Sequence, residues 1–531
     1  MMRITNSMMT ANTKANLNTN KANEDRLNTM TASGQKIVRP SDDPVVAIRA
    51  MRLNTSLTEL DQYYGKNIPD ATAWYTDTET ALSQTDDVLT SIREKLNQAS
   101  SEENVTSNVK DILEELKQLK AQFYALGNTD CAGRTVFTGF RTGEMLTFKE
   151  QEKLRYVIDE PISIEDLEEN DYIKGTTYIS KDGKALKPDK SGAEDDSFKQ
   201  ESVQSVKSYR IRLAYDDLKK DGFKAAPSLA YTKADGTAGS ITPAVKSITG
   251  LSQEDIDKIY SGDEGDCIIP ETGEVILSKA SYDDLLKAKD ITVTYEKEDW
   301  EKGDLRPEHY FKCNTPDVKS PTYKGENGIE YNFNIVDANN NPTTDPSGKI
   351  TGFKEQELTY EIAYNQTIQI NTHANDAYSH DIGRDIDELI KVTEQLANAE
   401  TKLADVKAAI AEETDEAKLA KLNKTLEAVD KERTLAKDIM HKKYTSAITS
   451  FKEYSDDLNK QIASIGALTS RLEMTKTRVK DQQNNVKQLA DENINADIAE
   501  TALDFKNAQL ALEAAQLAAG KIANQTLLNY I

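Results

Sequence analysis

The chain has 531 residues, and its 90 acidic against 66 basic side chains leave a formal net charge of −24. So acidic a surface repels phosphate backbones, and no block of Lys and Arg compensates for it, so we expect no nucleic-acid binding. Neither a run of 18 apolar residues nor the apolar core of a secretory signal occurs. We therefore expect no membrane insertion and no cleaved signal peptide.

The distribution of proline divides the chain into three parts. Ten of the 13 prolines lie between residues 161 and 346, and none lies in 70–160 or 347–531. Because proline interrupts helices, the two ends are predicted to be helical and the middle is not. In both ends, apolar residues recur at alternating steps of three and four, over 68–96, 105–126, 389–410 and 468–489. This spacing is typical of helices that pack as coiled coils.

A helix start is encoded just before the first of these seams. Asp43 suits the N-cap position, because its carboxylate can accept hydrogen bonds from free backbone N–H groups. Pro44 suits the first helical position, where its missing N–H costs nothing. A helix is therefore predicted to begin at Pro44.

The middle of the chain changes period. Apolar residues alternate with polar ones over 209–215, 291–295, 331–335 and 358–364. This alternation predicts half-buried β-strands. Asp-Gly or Asn-Gly pairs at 182–183, 221–222, 235–236 and 327–328 are typical of the turns between them.

The resulting prediction is a mainly α protein with inserted β structure. Both chain ends form a long coiled-coil-like helical rod, and a mostly β domain is inserted in the middle. The predicted regions are an N-terminal assembly segment (1–43), the two halves of the rod domain (44–149 and 373–490), the inserted β domain (150–372) and a C-terminal assembly helix (491–531). A helical insertion rich in Ala, Lys and Glu lies near 398–440. Its apolar register breaks at 412–415, which fits either a helical hairpin or one long helix.

No pattern in the chain points to an enzyme. The motifs of zinc proteases, serine hydrolases and P-loop nucleotide enzymes are missing, so we predict no catalytic residue, no cofactor and no metal. His373 and His380 lie seven residues apart among polar residues, and His309 follows Glu308 in a loop-like stretch. We assign all three to ordinary packing or surface roles.

The extreme ends carry too little apolar area to form a stable core alone. Residues 1–38 are rich in Asn and Thr, and residues 494–531 form an Ala-rich amphipathic stretch. Small side chains bury little area each, so these ends are expected to become ordered only when they pack against neighbouring subunits. The predicted assembly residues are Leu17, Leu27, Ile37, Ile498, Phe505, Leu512, Ile522 and Leu527.

Several motifs carry a family resemblance. The run SGQKIVRPSDDP (33–44) is similar to a signature of the bacterial flagellin superfamily, as are YYGKNI (63–68), NTDCAGRTVFTGFRTG (128–143), IGALTSRLE (465–473) and TLLNYI (526–531). The residues that carry the match are Pro40, Ser41, Asp42, Asp43, Pro44, Phe137, Gly139 and Arg471. Flagellin itself usually has alanine where this chain has Pro40 and Pro44. These two prolines therefore favour the hook-associated protein 3 family, the junction proteins of the flagellum.

The resemblance implies a structural protein of motility, found outside the cell at the hook–filament junction. Its implied partners are copies of itself in a ring, hook-associated protein 1, flagellin and a flagellar export chaperone. It would leave the cell by the flagellum's own type III export, without a cleaved signal. A filament-forming flagellin is the alternative.

Overall fold

The computed structural model describes residues 6–99, 106–189, 191–319, 327–331 and 357–523. Its helices are α1 (Asn6–Ser33), α2 (Pro44–Gln62), α3 (Ile68–Ala99), α4 (Thr106–Leu126), α5 (Gln253–Tyr260), α6 (Lys279–Leu285), α7 (Ala374–Ala377), α8 (His380–Glu412), α9 (Glu416–Ile494) and α10 (Ile498–Ala523). A π-helical turn, Tyr63–Asn67, connects α2 to α3.

The strands lie between the two helical parts of the chain. They are β1 (Asp130–Cys131), β2 (Arg134–Thr135), β3 (Glu152–Ile162), β4 (Leu167–Lys174), β5 (Tyr178–Ile179), β6 (Ala185–Leu186), β7 (Gln204–Arg212), β8 (Ser228–Thr232), β9 (Ala238–Ile241), β10 (Ala244–Val245), β11 (Cys267–Ile269), β12 (Glu274–Leu277), β13 (Lys289–Trp300), β14 (Lys312–Lys319), β15 (Asn327–Tyr331), β16 (Thr359–Ala363) and β17 (Gln366–Gln369). The long helices therefore come from the chain ends and the sheets from the middle. This confirms the predicted mainly α fold with a β insertion.

The chain divides into two compact units. We call residues 1–72, 360–368 and 469–531 the terminal unit, and residues 73–359 and 369–468 the central unit.

In the terminal unit, the two ends of the chain pack against each other. The backbone N–H of Ala496 donates to the carbonyl of Gly34 at 2.9 Å. Further along, the side-chain amide of Asn20 lies 3.5 Å from the carbonyl of Ala511. α1 and α10 therefore run antiparallel. Over residues 498–512 of α10 the buried or half-buried side chains recur at steps of four and three, and we call them the seam: Thr501, Phe505, Ala508 and Leu512.

The central unit contains two larger sheets. One has six strands in the order β15-β14-β3-β13-β8-β9, and the other has five in the order β10-β11-β12-β7-β4. In β13 the alternate residues Ile291, Val293 and Tyr295 are buried, as the sequence pattern predicts. Tyr331 ends β15, and the rest of the predicted strand at 331–335 lies outside the described residues.

Two local predictions in the middle are wrong. The Asn-Gly pair at 327–328 opens β15, with Asn327 opposite Lys319 in the register, and does not form a turn. The alternation over 358–364 holds to the buried Ile362, but β16 ends at Ala363 and Tyr364 is 84% exposed. The next residue, Asn365, has a φ of +57°, a left-handed conformation that ends the strand.

The stretch near 398–440 forms a helical hairpin, which settles the question that the sequence left open. α8 stops at Glu412 and α9 starts at Glu416. Between them, the Glu413 carboxylate accepts a hydrogen bond from the N–H of Asp415 at 3.0 Å. Asp415 in turn accepts from the N–H of Ala417 at 2.9 Å, so it caps the second helix. Lys402 of α8 and Glu432 of α9 form an ion pair at 2.8 Å across the hairpin.

A buried charge cluster ties the five-stranded sheet to this hairpin. Arg210 on β7 is 1% exposed and pairs with Glu168 on β4 at 2.9 Å, with Glu274 on β12, and with Glu388 on α8 at 2.7 Å. Lys443 on α9 lies 3.3 Å from Glu388. A charge removed from water is costly unless it is paired, so the sheet and the hairpin depend on each other's side chains.

The electrostatics of the cluster favour ionised carboxylates. Burial raises the pKa of Glu168, but the charges of Arg210 and Arg212 outweigh burial and lower it to about 2. For Glu274, burial again acts upward, and Lys391 and Arg210 bring the pKa down to about 2. In both cases the pKa in the folded protein lies below the ordinary value of 4.5. The stabilisation is therefore complete above about pH 4.5 and is lost as the pH falls toward 2.

This cluster predicts how the central unit responds to acid and to loss of its arginine. Arg210→Met is expected to lower the free energy of unfolding by about 3–5 kcal/mol at pH 7, because it takes one cationic partner away from each of three largely buried carboxylates. It should also weaken the loss of stability between pH 4.5 and 2. Urea denaturation at a series of pH values measures both effects. The control is Lys460→Met, which breaks an exposed ion pair with Asp457 and should unfold like the parent. Equal stability of Arg210→Met and the parent would contradict the cluster's role.

Candidate functional site

The link between α1 and α2 is built from the residues of the flagellin-like motif. Gly34 ends α1: its N–H donates to the carbonyl of Met30 at 2.9 Å, and its φ of +68° is one that glycine adopts without strain. The Asp42 carboxylate accepts hydrogen bonds from the N–H groups of Val38 and Arg39, at 3.2 and 2.8 Å. The motif therefore supplies one helix stop and the turn that follows it.

The predicted helix start is confirmed. The Asp43 side chain accepts hydrogen bonds from the N–H groups of Val45 and Val46, at 2.9 and 3.1 Å, and Pro44 is the first residue of α2. Pro40 and Ser41 are exposed in the turn before it. Asp42 and Asp43 thus each accept hydrogen bonds from two backbone N–H groups, and those of Val45 and Val46 have no partner within the helix.

Asp43→Ala is predicted to destabilise the start of α2 by about 1 kcal/mol, because two backbone donors lose their acceptor. Amide hydrogen exchange at Val45 and Val46 should become faster, and the chemical denaturation midpoint of the terminal unit should fall. Ser41→Ala, a neighbouring change outside the cap, is the matched control. Unchanged exchange at both amides in Asp43→Ala would argue against the cap.

The predicted assembly residues occupy three different settings. Leu27 and Leu512 are buried, and Leu17, Ile37, Phe505 and Ile522 are half-buried. Ile498 is exposed at the start of α10, and Leu527 lies outside the described residues. The two buried leucines lie on α1 and α10, the two helices that pack within one chain. Contact of any of these residues with another subunit stays a prediction.

A second apolar face of α10 is absent from the sequence-based prediction. Leu503, Leu510 and Leu517 are 66%, 58% and 70% exposed. An α-helix turns about 100° per residue, so residues seven apart share a side, and these three lie opposite the seam. The seven-residue spacing of these three leucines in the sequence could have indicated this second face.

The motif around Phe137 joins separate segments of the central unit. Phe137 is buried with its ring 4.8 Å from that of Tyr378, and the Tyr378 hydroxyl lies 2.7 Å from the hydroxyl of Thr85 on α3. The N–H of Gly139 donates to the carbonyl of Thr372 at 3.0 Å. Gly139 has a φ of +63°, and a Cβ there would lie 2.8 Å from Nδ1 of His373. Only glycine fits this approach without strain.

Gly139→Ala is therefore expected to lower the melting temperature of the central unit, with a cost of about 1–2 kcal/mol from backbone conformation alone. Gly143→Ala is the matched control, because a Cβ at Gly143 meets no atom within 4 Å. Adding His373→Ala to Gly139→Ala should recover only the part of the loss that is due to the clash. Equal melting of the two glycine variants would contradict this reading of the motif.

Each of the three histidines makes a local contact in the structure. Burial lowers the pKa of His309 to about 4, and its Nε2 lies 3.0 Å from the carbonyl oxygen of Met145. The backbone N–H of His373 donates to the Asp376 carboxylate at 3.1 Å, and Nε2 of the His380 ring lies 3.4 Å from the Asp381 carboxylate. Among the described residues, no three His, Cys, Asp or Glu side chains are grouped so that they could hold a metal ion. Arg471, the remaining motif residue, is exposed on α9.

Comparison with known proteins gives a consistent result for the two ends of the chain. The bacterial flagellin N-terminal helical region matches residues 4–142, and the bacterial flagellin C-terminal helical region matches residues 448–531. In the described residues, no helix combines the length and the apolar character needed to cross a membrane.

Two curated relatives are flagellar hook-associated protein 3. The protein of Escherichia coli K12 is 29% identical over 157 residues, which are 29% of this chain and 49% of the relative. The protein of Salmonella typhimurium LT2 is 27% identical over 142 residues, 27% of this chain and 44% of the relative. The chain thus spans about half the length of the curated relatives it matches. A solved structure of hook-associated protein 3 from Legionella pneumophila is 8% identical, with coverage of 83% of this chain and 98% of that one and a TM-score of 0.29.

Proposed function

We propose, from the premise that the two ends of this chain are the N- and C-terminal helical regions of the flagellin family, that the protein joins hook to filament in the bacterial flagellum. In this proposal copies of the chain form a ring between hook-associated protein 1 and the first flagellin subunits. The hook-associated nature of both curated relatives supports the junction role. So do Pro40 and Pro44, at the positions where flagellin usually has alanine.

The observation that carries the proposal is the pairing of α1 with α10. The seam side of α10 packs within the chain, and Leu503, Leu510 and Leu517 remain exposed on its other side. An apolar stripe on a helix that already has one partner is typical of a surface that another subunit covers. The assembly role of the terminal regions 1–43 and 491–531, and the division of 44–490 into rod halves and β domain, belong to this proposal.

The proposal also includes the route and the place. The protein leaves the cell by flagellar type III export without a cleaved signal, and an export chaperone holds its amphipathic C-terminal segment before assembly. Its final location is outside the cell, at the junction of hook and filament.

Gold labelling of an epitope-tagged chain on isolated flagella tests the location. A single labelled band where hook meets filament is the expected result. Label along the whole filament would identify the chain as a filament-forming flagellin and overturn the junction role.

Leu510→Glu is predicted to leave the chain folded and exported but to prevent filament attachment, because a charge in a buried contact between subunits is unpaired. Filament counts by electron microscopy, swimming, and the amount of the protein in the medium measure these outcomes. Leu286→Glu replaces a leucine that is 39% exposed beside α6 of the central unit and should swim like the parent. Normal filaments in Leu510→Glu would remove the stripe from the assembly interface.

A further inference from the structure

We propose that one copy of this chain contacts the next through two complementary faces of the terminal unit. The first, the α2 face, is apolar and basic and lies at the start of α2. The second, the α10 face, is apolar and acidic and lies at the start of α10. The inference rests on the proposed function, because a ring requires a contact between copies.

The α2 face consists of Val45, Ile48, Arg49 and Arg52. Their spacing of three, four and seven residues puts them on one side of the helix. Val45 is 76% exposed and Ile48 is 54% exposed, and both arginines are exposed. Neither arginine forms an ion pair with another described residue. The α2 face is therefore locally basic beside exposed aliphatic side chains, in a chain whose net charge is −24.

The α10 face consists of Glu500, Leu503 and Asp504. The three residues again share one side of a helix by their spacing, and all are exposed. Among the described residues, no basic side chain forms an ion pair with either carboxylate. Leu503 points away from the seam, so the packing of α10 against α1 leaves this face open.

The two faces match in charge and in apolar content. Arginine is well suited to pair with carboxylates, and charges around an apolar contact fix partner and register. The α2 face would repel another α2 face, and the α10 face would repel another α10 face. A two-fold contact between identical surfaces is therefore disfavoured, and a contact between unlike surfaces of successive copies is favoured. Contacts of that kind generate rings or helical arrays.

Cysteine cross-linking on isolated flagella tests the contact directly. The chain's own cysteines, Cys131, Cys267 and Cys313, are all buried, so a chain with Ile48→Cys and Leu503→Cys places new thiols on both faces only. Oxidation should give a ladder of dimers, trimers and higher species on a non-reducing gel. Each single cysteine variant should stay monomeric. A dimer from Ile48→Cys alone, an internal cross-link within one copy, or a cross-link to a different protein would each overturn the proposal.

Charge reversal gives a second readout. Arg49→Glu with Arg52→Glu should abolish filament attachment, and so should Glu500→Arg with Asp504→Arg, while urea denaturation of both stays like the parent. All four changes in one chain should restore attachment, because the charges are again complementary. Failure of the four-fold variant to restore attachment, with its stability intact, would overturn the contact.

The two proposals fail in different ways. If gold label lies at the junction but no ladder forms, the ring role stands and this contact is wrong. If the ladder forms but the label lies along the filament, the contact stands and the junction role is wrong.

Discussion

The terminal unit depends on a short stretch of backbone where the two ends of the chain pair. Ala496 donates to Gly34, and the N–H of Lys36 donates to the carbonyl of Ile494 at 2.7 Å. These two hydrogen bonds join residues that are far apart in sequence, and they set which residues of α1 lie beside which residues of α10. Gly34, whose backbone is left-handed, ends α1, and the cap at Asp43 starts α2 within ten residues. The seam, the exposed Leu503, Leu510 and Leu517, the α2 face and the α10 face all lie on α2 or α10, the two helices that begin near this point.

The central unit is held in a different way. Its sheet and its helical hairpin share charges: Arg210 on the sheet contacts Glu168 and Glu274 of neighbouring strands and Glu388 of the hairpin. Such a cluster adds less net stability than its distances suggest, because removing the charges from water is costly. A sheet that docked elsewhere on the hairpin would, however, leave several charges buried without partners.

The sequence predicts the parts of this structure that depend on neighbouring residues. The start of α2 follows from Asp43 and Pro44 because a cap is a local interaction, and Ile291, Val293 and Tyr295 follow from alternation in one strand. The prediction that Tyr364 belongs to a half-buried strand was wrong, because the alternation of apolar and polar residues does not show where a strand ends. The polar residues at 412–415 are as common in turns as on exposed helix surfaces. The sequence alone therefore could not distinguish a helical hairpin from one long helix.

The features that the sequence analysis did not predict depend on residues far apart in the chain or on a second apolar face of a helix. Arg210 and Glu388 are separated by 178 residues, and no local pattern connects them. Leu503, Leu510 and Leu517 were missed because the prediction assigned α10 a single apolar side.

The hydrogen bond from Gly139 to Thr372 brings together two points that bracket most of the middle of the chain. In polymer terms, the segment between Gly139 and Thr372 is a loop whose two ends are held close together by this hydrogen bond. The entropic cost of closing such a loop grows only with the logarithm of its length, by about 0.6 kcal/mol for each doubling. A change in the length of this segment during evolution would therefore change the entropic cost of closing the loop very little. The flagellin N-terminal match ends at residue 142 and the C-terminal match begins at residue 448, so nearly all of this segment lies in the part of the chain that neither match covers.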